Sequence, residues 1–300
     1  MSFSDLLLPR CTFPAPGSDV TCAVSGGADS IALLVLACAA GCRATAVHVD
    51  HGIRAEAGRH GEGAVVAAAA ARLGAAFRSE QVSVEPGPNL EARARQARFA
   101  VLPPDVLTGH TADDQAETVL LNMLRGAGLD GLAGMGPGRH PIIGLRRAET
   151  HALCADVGLT PVHDPTNDDV AFRRNRVRHE LLPLLDDVAE RDVAALLARQ
   201  ADVLREEAAL LDALAQAIDP ADAKALAAAP APLARRAVRA WLRCDQQHPP
   251  QADAVERVLA VARGEAVATE VGGGLRVARS GQRLRLESVP NSAIAPRPTR

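Results

Sequence analysis

The first half of the chain alternates short apolar runs with longer segments of mixed polarity. Val20–Val24 is a small apolar run ending in Ser25-Gly26-Gly27, the pattern of a buried parallel strand followed by a turn. Asp29–Ala40 then reads as a helix closed by Gly41. Ala44–Val49 is the next strand, Glu62–Leu73 a helix ended by Gly74, and Ala76–Ser83 a third strand. Leu90–Leu102 is helical up to Pro103-Pro104. Val106–Leu107 is a short strand running into Gly109-His110, and Thr111–Arg125 is a helix ended by Gly126. Strands alternating with helices predict the α/β class, a doubly wound parallel sheet with helices on both faces.

The flanking segments read differently. Residues 1–18, punctuated by Pro9, Pro14, Pro16 and Gly17, are expected to be a lead-in, and Gly126–Gly144 a mobile, glycine-rich connection. Ala148–Val157 and Arg174–Leu185 are expected helices. Asp187–Ile218 carries Ala/Leu periodicity over one helix or a pair, and Pro232–Arg243 and Ala252–Ala262 are further helices. Val267–Glu287 alternates with period two and predicts a small antiparallel meander. The change of period sets the domain boundary: an α/β domain over 1–186, a smaller and mainly helical domain with a meander over 187–290, and a disordered tail over 291–300.

Composition narrows the function. The 300 residues carry a net charge of −3, so a polyanion must be met by local arginine clusters and not by a global field. The single lysine, Lys224, excludes a Walker A loop, which requires G-K-[ST], and a lysine nucleophile. With no Tyr, one Trp and five Phe, extensive base stacking is not expected. The longest apolar runs, Ile31–Ala40 and Ala64–Ala71, fall short of the roughly 18 residues of a membrane span. Six cysteines without C-x-x-C spacing read as reduced thiols of a cytoplasmic protein.

Four stretches carry candidate chemistry. Ser25-Gly26-Gly27-Ala28-Asp29-Ser30 lies between a strand and a helix, where glycines let the backbone approach an anion and the helix start offers free N–H groups to phosphate. Its hydroxyls add donors, and Asp29 can orient the loop or help hold a divalent cation. His48-Val49-Asp50-His51-Gly52-Ile53-Arg54 follows the second strand, at the ligand crevice of an open sheet. Gly109-His110-Thr111-Ala112-Asp113-Asp114-Gln115-Ala116-Glu117-Thr118 opens a helix. There Asp114 and Glu117 share one face, and with Asp113 and His110 they form an acidic cluster suited to Mg²⁺ or an ammonium group. Arg173-Arg174-Asn175-Arg176-Val177-Arg178 has an arginine density that fits phosphate contacts.

Ser25–Ser30 resembles the S-G-G-x-D-S pyrophosphate-binding loop of the N-type ATP pyrophosphatases, which cleave ATP between its α- and β-phosphates. The other stretches resemble the tRNA(Ile)-lysidine synthetases of that superfamily. His48–Arg54 is similar to H-V-N-H-G-L-R, with Asp50 for Asn, and His110–Thr118 to H-H-x-D-D-Q-x-E-T. Ala94–Phe99 is similar to A-R-x-x-R-Y. Pro141-Ile142-Ile143 with Arg147 and Glu149 is similar to R-P-L-L…R-x-E, with His140 for the first Arg. Asp164–Asn167 with Arg174–Pro183 is similar to D-x-[ST]-N…R-N-x-I-R…L-L-P.

The resemblance implies a PP-loop ATPase fold and an enzyme that uses ATP and Mg²⁺ to ligate L-lysine to C2 of the wobble cytidine of a CAU-anticodon isoleucine tRNA. It implies Asp29, His110, Asp114 and Glu117 as catalytic residues. ATP would meet Ser25, Gly26, Gly27, Ala28, Asp29, Ser30, His48 and Arg95. Lysine would meet Asp114, Glu117 and Glu149, and the metal Asp29 and Asp113. The tRNA would meet Arg173, Arg174, Arg176 and Arg178, with Arg235 and Arg236 in the second domain. A PP-loop tRNA thiolase is the nearest alternative, but those close to this type rely on paired C-x-x-C cysteines. A non-catalytic adenine-nucleotide-binding protein is a further one, and it has no need of carboxylates placed for an amine.

Overall fold

Four parallel strands, β1 (Asp19–Ala23), β2 (Arg43–Asp50), β3 (Ala76–Gln81) and β4 (Leu107–Thr108), form a sheet in the order β3-β2-β1-β4. The computed structural model describes residues 2–50, 56–83, 90–162, 169–243 and 250–288. β1 lies between β2 and β4, so the strand order reverses there. The loops after β1 and β4 therefore flank the switch point at which open α/β sheets bind ligands.

Alternate strand residues serve opposite faces. Cys22 and Ala46 join one buried cluster with α2 (Ala28–Ala39), while Ala23 and Val47 join another with Leu102, Val106 and Phe99. Helices on both faces are what the periodicity predicts. Residues 31–37 of α2 are buried on all sides, the mark of a helix inside the core. Its outer flank is covered by α7 (Arg147–Asp156) through Leu153 and Cys154, with α3 (Glu56–Leu73) contributing Val66 and Ala70. α4 (Leu90–Val101) and α5 (Ala112–Leu124) complete the strand-to-helix alternation.

Several expectations are corrected. The lead-in contains a helix, α1 (Phe3–Leu7), capped by Ser2 and anchored by buried Leu7. The 126–144 connection is a packed segment. It holds α6 (Leu129–Leu132) and a 3₁₀ turn at Pro137–Arg139, and the buried Gln115 amide donates to Met135 O (3.0 Å) and accepts from Met135 N (2.8 Å). Ile142 within it and Leu145 just beyond it are fully buried. The helix expected at 174–185 is present as one unbroken run, α8 (Arg173–Arg176) passing through a π-helical segment Val177–Leu181 into α9 (Leu182–Ala189), ended by Glu190 in left-handed conformation. α10 (Val193–Ala215) is one helix.

The chain divides into two compact units, Met1–Arg205 and Glu206–Arg300, so the division falls inside α10 and not near residue 187. The second unit holds α11 (Ala223–Ala228), α12 (Ala231–Arg243), α13 (Ala252–Arg263) and an antiparallel sheet of β5 (Ala268–Gly272), β6 (Leu275–Ser280) and β7 (Arg283–Ser288). Its core gathers Leu226, Val238, Leu242, Val255, Val258 and Val277. The tail 291–300, Cys244, residues 51–54 and the Asp164–Asn167 stretch lie outside the described residues.

Candidate active site

β1 delivers the chain into residues 25–30, and α2 leads it away. Gly26 sits at φ +94°, a conformation costly for a residue with a Cβ. Ser30 Oγ donates to Gly27 O (2.8 Å), accepts from Ser25 N (3.1 Å) and lies 3.2 Å from Ser25 Oγ, which folds the loop over the helix start. The first intrahelical bond is Ile31 N to Gly27 O, so the amides of Ala28, Asp29 and Ser30 are the helix-terminal N–H groups that suit a phosphate. Gly109, at the end of β4, backs onto the same point. A Cβ there would lie 2.5 Å from Asp29 O, so only glycine lets the two loops meet.

α5 begins with a capping box. Thr111 N and Oγ1 donate to Asp114 Oδ2 at 2.9 and 3.0 Å. The other oxygen, Oδ1, accepts from Arg147 Nη2 (3.0 Å) and Arg174 Nη2 (3.1 Å). One turn on, Glu117 has no exposed surface and accepts from Arg147 Nη2 (3.2 Å), Arg174 Nε (2.6 Å) and Arg178 Nε (2.8 Å). Arg147 also reaches Asp29 Oδ2 (3.4 Å), and Thr150 donates to Asp29 Oδ1. One guanidinium thus ties the loop carboxylate to the α5 pair.

The fields in this cluster differ by residue. Burial raises the Asp29 carboxyl above its ordinary range, and the nearby Asp114 charge adds to it, against Thr150 and Arg147. For Asp114, burial pushes up but is outweighed by Arg147, Arg174, His110 and the Thr111 amide, so its carboxyl is held low. Asp113 is likewise held low against burial, by Arg146 and the Arg147 amide. Arg147 is pushed further up by the carboxylates around it, despite its burial.

The other expected residues fall in distinct places. Both oxygens of Asp113 are engaged by Arg146 (3.1 and 2.9 Å) and one also by Arg147 N (2.7 Å), a structural clamp. Glu149 caps α7 at Arg146 N (2.7 Å) and pairs with Arg10 (3.0 Å to Nη2), which ties down the N-terminal segment. His48 is buried, 3.1 Å from Val24 O, and lines a cavity of about 290 Å³ with Asp50, Gly63, Phe77 and Ser79. His110 Nδ1 lies 2.7 Å from Thr108 Oγ1, which is 2.6 Å from His140 Nδ1, with the two rings edge to face. His140 therefore joins the His110 environment where the family pattern has an arginine.

Among the arginines, Arg174 and Arg178 turn onto the carboxylates, Arg176 pairs with Glu180 and Arg173 is exposed. Arg235 pairs with Glu256, and Arg236 is buried against Asp212. Arg95 lies on α4, its side chain outside those described. Sequence reasoning assigned no site role to Arg147, Thr150, Arg146 or Arg10. The Arg147-x-Glu149 spacing was a visible signal, whereas Thr150 and Arg10 carried none.

A loop of this geometry at the switch point of a parallel sheet defines an ATP-binding enzyme of the PP-loop class. A family model described as a PP-loop domain matches residues 6–185. The tRNA(Ile)-lysidine synthase of Nocardia farcinica is 43% identical over 298 residues, covering 91% of this chain and 92% of that one. The enzyme of the same name from Mycolicibacterium paratuberculosis is 46% identical over 236 residues, 73% of each chain. The chain belongs to the tRNA(Ile)-lysidine synthase family. The U34-tRNA thiolase NcsA from Methanococcus maripaludis shares the fold, with a TM-score of 0.54 and 16% identity over 68% of this chain and 78% of that one.

Proposed function

We propose that this enzyme ligates L-lysine to C2 of the wobble cytidine of a CAU-anticodon isoleucine tRNA, with ATP cleaved to AMP and pyrophosphate through an adenylated tRNA. The observation that carries the reading is the buried Asp114–Glu117 pair joined through Arg147 to Asp29 of the PP-loop. Nucleotide-holding and amine-holding groups thereby belong to one network. The residue 25–30 loop receives the phosphates through backbone amides and hydroxyls. Asp29 suits Mg²⁺, which commonly takes one or two carboxylates together with substrate phosphates, whereas Asp113 is already spent on Arg146. The ion would neutralise charge building on the departing pyrophosphate.

Asp114 and Glu117 orient the side-chain amine of lysine, which must lose a proton to attack. In this reading His110, which acts on the Asp114 charge and is bonded to Thr108, takes it. Arg173 and Arg176 on α8, and Arg235 on α12, offer exposed guanidinium groups to tRNA phosphates. No described helix is long and apolar enough to cross a membrane, and the reading places the enzyme with its tRNA substrate in the cytoplasm. Incubation with ATP, Mg²⁺, labelled lysine and CAU-anticodon isoleucine tRNA should place label in the tRNA, dependent on ATP. Absence of label under these conditions would contradict the reading.

A further inference from the structure

Glu117 and Asp114 are saturated by the protein's own cations. The Glu117 oxygens accept from Arg147, Arg174 and Arg178, and Asp114 divides its oxygens between the Thr111 cap and the arginines. A substrate ammonium entering this cluster without displacement would add an uncompensated buried charge, which is costly. One guanidinium must leave.

Arg174 is the one built to leave. Its side chain is 33% exposed, against 22% for Arg147 and Arg178, and unlike Arg147 it does not also hold Asp29. It makes three contacts: Nε to Glu117 Oε2 (2.6 Å), Nη2 to Asp114 Oδ1 (3.1 Å) and Nη2 to Asp114 O (3.5 Å). An ammonium has three N–H donors and no acceptor, so it can take up the same three acceptors. Arg174 sits in the four-residue α8, which passes straight into the π-helical Val177–Leu181, an irregular backbone of the kind found at functional sites. The neighbouring Arg173 and Arg176 are exposed, so a phosphate drawn to this segment meets a guanidinium fork that binds it in place of a carboxylate.

Resting on the reading under Proposed function, we infer that Arg174 is an internal stand-in for the lysine ammonium, exchanged out of the Asp114–Glu117 site when tRNA phosphates engage the segment. Lysine binding is then conditional on tRNA. The free enzyme holds the amino acid at this site more weakly than the tRNA-bound enzyme does.

Equilibrium dialysis with labelled lysine tests this. Wild-type enzyme should bind lysine about tenfold or more tightly with CAU-anticodon isoleucine tRNA present than without it. Arg174→Ala, checked for folding by circular dichroism, should bind lysine without tRNA at least as tightly as the wild type does with it. Arg43→Ala, which removes an exposed pair with Asp19 at the start of β2, should leave the tRNA dependence in place. Equal lysine affinity of the wild type with and without tRNA overturns the inference, whatever the variant does. Lysine that binds in this way but never enters the tRNA would instead overturn the functional reading.

Discussion

Glu117 has no exposed surface and meets three guanidinium groups, so its removal leaves buried positive charges facing one another. Breaking a buried pair in this way costs about 3–5 kcal/mol, so urea unfolding of Glu117→Ala should show a loss of that size. Asp113 offers a contrast. Spent on Arg146 and the Arg147 amide, Asp113→Ala should lose about 1.5–3 kcal/mol while the Mg²⁺ concentration for half-maximal activity stays put. A shifted Mg²⁺ requirement would make Asp113 a metal ligand after all. At this scale the motifs located the carboxylates well. What they could not give is the partner of each, because Arg10 and Thr150 reach Glu149 and Asp29 across more than a hundred residues of chain. The dense Arg173–Arg178 run reads as a phosphate surface in sequence, yet Arg174 and Arg178 turn inward, since the acidic cluster they neutralise lies far from them along the chain.

The elements around the PP-loop were legible because each carries its own local signal, an apolar run or a glycine stop. The 126–144 connection was misread because its order comes from one buried amide, Gln115, and from Ile142 and Leu145, and not from any periodicity. α11 is six residues long and Ala-rich, too short for a helical period to register, although Asp222 caps it. The meeting of β4 with α2 is tightly constrained. Gly109→Ala should place a methyl against the Asp29 carbonyl, cost about 1–3 kcal/mol and lower ATP use with it. Unchanged stability and turnover would mean that the two loops are not held together there.

For the whole molecule, the carboxylates make opposing contributions with pH. Asp113, Asp114 and Glu149 are held low, so their stabilisation is complete above the ordinary carboxylate range and is lost as pH falls through their lowered values. Asp29 is raised, so ionising it as pH rises costs stability. Urea midpoints should therefore fall in acid, and Asp29→Asn should be more stable than the wild type near neutral pH while losing activity. With a net charge of −3, tRNA affinity must come from local clusters, and its logarithm should fall with the logarithm of salt by roughly 0.7–0.9 per phosphate contacted. The two-unit organisation was legible, but its boundary was not, because α10 runs through it without a break in pattern. The most direct test of the account follows both substrates at once, with labelled ATP, labelled lysine and CAU-anticodon isoleucine tRNA, in the wild type and in folded Asp29→Ala and Glu117→Gln. The account predicts that Asp29→Ala forms neither adenylated nor lysine-bearing tRNA, while Glu117→Gln still releases pyrophosphate and adenylates the tRNA but transfers little lysine. Lysine transfer at the wild-type rate by Glu117→Gln would contradict it.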